Sequence, residues 1–143
     1  MVVIGSAGRN RKSMAAGVLA GWMFLALSST VLSCQPFVGE HLQLHLFWSY
    51  RAGSSELLKE NILNVFLLMP VGVLMPVLGS SFGATVGFGA GWSLMIETLQ
   101  LVTQRGLFEL DDIFHNTVGV VIGYLIYLFL RWIVKKIKAP NIN

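Results

Sequence analysis

Hydrophobic residues along the chain gather in four long runs, divided by short polar stretches. The first extends from about Met14 to Ser33, the second from Asn61 to Gly79, the third from Phe82 to Val102 and the fourth from Asn116 to about Val134. A helix needs roughly 20 residues to cross a hydrocarbon core of about 30 Å, and each run approaches or exceeds that length. A barrel strand would alternate apolar and polar residues at period two, and none of the runs does. The pattern predicts an all-α fold: a polytopic membrane protein built as a bundle of four transmembrane helices.

Composition agrees. Of the 143 residues, 55% are hydrophobic and 12% charged, against about 25% charged in an ordinary soluble domain. A soluble domain this small could not enclose so much apolar surface. The single cysteine, Cys34, excludes a disulfide-stapled scaffold, and the apolar content excludes intrinsic disorder.

Charge placement orients the bundle. Arg9, Arg11 and Lys12 precede the first run, and Arg131, Lys135, Lys136 and Lys138 close the last. Four crossings put both groups on one side, which the positive-inside rule makes the cytoplasm. The expected organisation is N-in/C-in: a basic cytoplasmic N-terminus over 1–13, a transmembrane domain over 14–134 and a basic cytoplasmic tail over 135–143. The acids, which the rule does not use, fall on the opposite side. Glu40, Glu56, Glu60, Glu109, Asp111 and Asp112 lie in outer loops, and Glu97 lies in the outer part of the third helix. The net charge of +3 therefore reflects bases flanking membrane spans, for which anionic inner-leaflet lipid is the natural partner. No nucleic-acid partner and no cofactor is expected, because phosphate loops, zinc-spaced cysteines and helix-turn-helix patterns are all missing.

The N-terminus has a second reading. Val31-Leu32-Ser33-Cys34 follows a basic and then an apolar segment, as in a bacterial lipoprotein cleavage box, which would remove the first helix and lipidate Cys34. The spanning length of the apolar run and the late start of the basic residues, at Arg9, favour a retained helix.

Polar groups within a membrane are costly, so their positions are informative. Glu97 and Gln100 lie i, i+3 near the outer end of the third helix. Asp112 and Asn116, and likewise Asp111 and His115, lie i, i+4 at the start of the fourth. Asn61 and Asn64 lie i, i+3 at the start of the second. The topology brings all of these to one depth, on the outer side. Asp112, Asn116, Gly119 and Gly123 share a stripe whose small residues form a packing face, which turns the polar pair into the bundle. Gly72 on the second helix, and Gly83, Gly87 and Gly91 on the third, are further candidate packing positions. Pro70 and Pro76 should bend the second helix. The first helix carries no such polar residue and is expected at the periphery.

Three chemistries fit this outer cluster. Asn61, Asn64, Glu97, Gln100, Arg105, Asp112 and Asn116 can line a ligand pocket. Glu97 and Asp112 can act as paired acid and base, with Arg105 stabilising negative charge. The same groups can also be a structural hydrogen-bond and ion-pair cluster that sets helix register. Asp111, Asp112 and His115 are weak candidates for a cation site. His41 and His45, followed by Trp48 and Tyr50, read as an interfacial segment with aromatic anchors.

Three segments, Glu60 to Gly72 (ENILNVFLLMPVG), Glu97 to Gln100 (ETLQ) and Arg105 to Gly123 (RGLFELDDIFHNTVGVVIG), resemble the VanZ-like family in order and separation. The similarity covers about Ser49 to Leu125. The family's motif residues fall on Asn61, Pro70, Gly72, Glu97, Gln100, Arg105, Asp112, Asn116, Gly119 and Gly123. The resemblance implies a multi-pass protein of the bacterial cytoplasmic membrane. The family's founding member lowers susceptibility to teicoplanin, an acyl-tailed glycopeptide, without taking part in enzymatic remodelling of cell-wall precursors. The implied partners are membrane lipid and either a lipid-linked envelope precursor or an acylated glycopeptide.

Overall fold

The computed structural model describes residues 3–33, 36, 39 and 41–138; Cys34 and Glu40 lie outside them. Helix α1 spans Val3–Leu27 and continues into a π turn over Ser28–Leu32. A two-residue strand, β1 (Leu42–Gln43), precedes the short helix α2 (Trp48–Ala52). Helices α3 (Ser55–Leu78) and α4 (Phe82–Thr103), strand β2 (Phe108–Glu109) and helix α5 (Leu110–Lys138) complete the chain. The fold is all-α apart from the short parallel ladder, in which Leu42 pairs with Phe108 and Gln43 with Glu109.

The long helices extend beyond the apolar runs, because hydropathy marks the part of a helix suited to lipid and not its hydrogen-bonded ends. Thus α1 begins at Val3, α3 at Ser55 and α5 at Leu110. Local chemistry sets the boundaries. Ser54 caps α3 by accepting from the Glu56 N–H, and Ser81 caps α4 by accepting from the Ala84 N–H. Gly79, at φ 106°, ends α3, its N–H donating to the carbonyls of Met75 and Pro76. Pro70 and Pro76 both lie inside α3, which continues through them as a single helix.

Among the described residues, three helices are long and apolar enough to cross a membrane: Gly8–Leu32, Ser55–Leu78 and Leu110–Lys138. Helix α4 carries Thr85, Gly89, Ser93 and Glu97 on its buried face, together with Ile96.

Helices α3 and α5 run parallel and share the most extensive contact. Glycines set their separation. A Cβ at Gly72 would strike the Val120 carbonyl, one at Gly119 the Val65 carbonyl and one at Gly123 the Met69 carbonyl. These three therefore occupy the packing face expected of them. The ridge expected on α4 does not: Gly83, Gly87 and Gly91 have nothing within 4 Å of an added Cβ. Gly89 takes that role, its missing Cβ making room for the Val120 side chain. Gly87 and Gly91 sit two residues either side of it, about 200° around the helix, and so point away from α5.

Around this crossing lies a small apolar core of Leu19, Met23, Leu68, Val71 and Val120. Helix α1 contributes two of the five and is not peripheral. Its Trp22 indole also donates to the Leu67 carbonyl at 2.7 Å. At one end of the bundle, Arg11 and Lys12 of α1 meet Arg131 of α5 around a shared cleft. At the other end gather the starts of α3 and α5, the end of α4, the π turn, α2 and the β ladder.

Candidate functional site

The acid-rich end of the bundle is organised around the first turn of α5. Asp111 is fully buried at 0% exposure, and its carboxylate is spent on α2. It accepts from the Phe47 N–H, from the Ser49 N–H at 3.1 Å and from the Ser49 hydroxyl at 2.6 Å. Phe47 sits at φ 62°, a left-handed conformation unusual for a bulky residue. The carboxylate and an edge-on contact with the Phe114 ring hold it there. The Asn61 amide donates to the Ser49 hydroxyl oxygen at 2.9 Å, tying α3 to the same cap.

His115, one turn on, extends this network. Its Nδ1 lies 2.6 Å from the Asp111 carbonyl, which can only accept, so Nδ1 carries the proton. Its Nε2 lies 2.7 Å from the Tyr50 hydroxyl, joining α2 to α5. With the Asp111 oxygens and the His115 nitrogens so engaged, and Asp112 turned elsewhere, the weak candidate trio Asp111, Asp112 and His115 does not converge. Among the described residues no group of three His, Cys, Asp or Glu side chains is placed to hold a metal ion.

Asp112, next in sequence, faces a different compartment. A cavity of about 510 Å³ lies between α1, α3, α4 and the start of α5. Glu60, Asn64, Gln100 and Asp112 contribute its polar lining, together with Ser29 and Thr30 of the π turn. Trp22, Leu63, Phe66 and Leu67 form its apolar wall. Gln100 joins α4 to α1 by donating to the Thr30 carbonyl at 3.0 Å, and Asn64 hydrogen-bonds Asp112.

The other expected site residues lie outside this cavity. Glu97, 1% exposed, accepts from the Glu109 N–H at 2.8 Å and anchors β2 to α4. Asn116, also 1% exposed, donates to the Ser93 hydroxyl at 2.9 Å; its carbonyl oxygen has no partner among the described residues. Arg105 donates to the Leu32 carbonyl at 3.1 Å, fastening the π turn. Asn61 and His115 line a separate, smaller cavity of about 260 Å³ with Tyr50.

Sequence reasoning overlooked Trp22, Ser29, Thr30 and Glu60 as cavity residues, and Glu109 as a half-buried acid. Glu109 accepts from the Trp48 indole at 2.8 Å. Burial, and then the negative charge of Asp112, push its carboxyl up from 4.5 to about 7, with Glu60 and Asp111 adding to the effect and the Trp48 bond opposing it. The signal for Glu60 was available: it precedes Asn64 by four residues and so shares its face.

Comparison with curated proteins and with solved structures finds no match. A family model described as VanZ/LLP1 matches residues 14–131, a span that includes every polar residue lining the cavity. The chain belongs to the VanZ/LLP1 family.

Proposed function

We propose that this VanZ-like membrane protein binds an amphiphile in the cavity beside α3. Its polar group would sit among Glu60, Asn64 and Asp112, and its acyl chain along Trp22, Leu63, Phe66 and Leu67. The change in wall character carries this reading: within about two turns of α3 the lining passes from Glu60 and Asn64 to Phe66 and Leu67. A head-to-tail molecule is the ligand class that matches both parts at once.

The topology supports an outward-facing site. Helix α4 has 22 residues, about 33 Å at 1.5 Å per residue, and serves as a fourth crossing. Both basic groups then face the cytoplasm, and the cavity opens near the outer leaflet of the bacterial plasma membrane. Lipid-linked envelope precursors and acyl-tailed glycopeptides such as teicoplanin are amphiphiles encountered there, which links the cavity to antibiotic susceptibility. The acid–base alternative built on Glu97, Asp112 and Arg105 has less support. Glu97 is occupied by the Glu109 N–H, and Arg105 is turned to the Leu32 carbonyl.

Native mass spectrometry of the purified protein incubated with teicoplanin tests the reading. The unaltered protein should retain the glycopeptide, and Leu63→Trp, which fills the apolar wall, should lose it. Equal retention by a folded Leu63→Trp variant would remove the cavity from the account.

A further inference from the structure

The cavity rim has an unequal supply of hydrogen-bonding groups. Its donors are directed to the protein's own carbonyls and carboxylates. The Trp22 indole donates to the Leu67 carbonyl, the Ser29 and Thr30 hydroxyls to the Ala26 carbonyl, and the Gln100 amide to the Thr30 carbonyl. Asn64 is engaged with Asp112. The remaining capacity is mainly for accepting. Glu60 and Asp112 present carboxylates, which accept at up to about four lone-pair sites each. The Gln100 carbonyl oxygen is enclosed without a partner among the described residues, and an enclosed acceptor left unmatched costs about 1–3 kcal/mol. Among the described residues, no lysine, arginine or histidine lines the cavity.

We infer that the ligand's head group is cationic, an ammonium whose N–H groups reach the Glu60 and Asp112 carboxylates while its alkyl chain lies along the apolar wall. The inference rests on the cavity reading above and narrows it. A phosphate head brings only acceptors and negative charge, so it would meet like charge and find few free donors. An ammonium head supplies the missing donors and the opposite charge, and hydrogen bonds between ionised partners are stronger than neutral ones.

Binding of dodecylammonium and of dodecyl phosphate to the full-length protein, held in nanodiscs of neutral phosphatidylcholine, provides the test. The shared chain isolates the head group. Dodecylammonium should bind more tightly by about tenfold or more, a difference that one additional charge contact can supply. Glu60 is exposed, so Glu60→Gln and Glu60→Lys should leave the fold intact. The first should narrow the preference and the second reverse it. Equal affinities, or tighter binding of dodecyl phosphate, would overturn the cationic head group and leave the amphiphile cavity standing. A preference for dodecylammonium that survives in Glu60→Lys would also overturn it, since the rim would not be its source. Binding of neither probe would overturn the cavity reading itself.

Discussion

The Asp111 carboxylate and Ser49, 62 residues apart, meet through two hydrogen bonds at 2.6 and 3.1 Å. The side chain and the backbone N–H of Ser49 both donate to the same oxygen. Ser49 is 1% exposed and Asp111 0% exposed, so water can replace neither partner. This pairing fastens α2 to the start of α5, and the same carboxylate holds Phe47 in its left-handed conformation.

Asp111→Ala should therefore destabilise the protein by about 3 kcal/mol or more, because hydrogen bonds to charged groups contribute about 1.5–3 kcal/mol each and the buried donors would lose their acceptor. Reversible unfolding in detergent measures the loss, and hydrogen exchange should show faster opening at Ser49. A loss below about 1 kcal/mol would be inconsistent with a stabilising cap.

Glycine substitutions should separate into two classes. Gly119→Ala and Gly123→Ala drive a methyl group into the carbonyls of Val65 and Met69 and should cost about 1–3 kcal/mol or more, as overpacking does. Gly87→Ala and Gly91→Ala meet open space and should be neutral, or stabilising by up to about 1 kcal/mol through helix propensity. Parallel unfolding curves for the four variants test the contrast.

The raised Glu109 carboxyl predicts a direction for the pH dependence. Its folded value of about 7 lies above the ordinary 4.5, so between these values the folded state binds more protons than the unfolded chain. Stability from this group is fully present below about 4.5 and declines as pH rises toward 7. Glu109→Gln should flatten that part of the stability profile, measured by thermal unfolding from acid to neutral pH. A profile with unchanged slope would contradict the shift.

Gln100 and Arg105 both hold the π turn, through the carbonyls of Thr30 and Leu32. Gln100→Ala and Arg105→Ala should each speed hydrogen exchange in 28–33 while leaving the α3–α5 contact protected. Exchange rates that match the unaltered protein would mean that other contacts hold this segment.

Some expectations drawn from spacing failed for a geometric reason. Asn61 and Asn64 lie three residues apart, and both are candidates for one pocket. Three residues turn a helix by about 300°, so the two side chains diverge by about 60°. Because α3 is flanked by α2 and α1, that angle sends Asn61 to Ser49 and Asn64 to the cavity. The first apolar run, Met14 to Ser33, lacks charged and amide groups, and pattern alone therefore puts it at the periphery. An indole N–H and a main-chain carbonyl make its attachments, and hydropathy patterns do not reveal either.

The order of residues by itself determined the all-α class, the apolar helices, the gathering of acids at one end and the small-residue packing positions at Gly72, Gly119 and Gly123. These follow from local periodicity, from the cost of placing charge in lipid and from the absence of a side chain, all of which can be read along one dimension. Only the tertiary structure decided which polar groups share a compartment. Asp111 and Asp112 are adjacent in sequence, yet one carboxylate is spent on the α2 cap and the other opens to the cavity. Neighbouring positions on a helix point about 100° apart, and the surrounding helices determine what each direction meets.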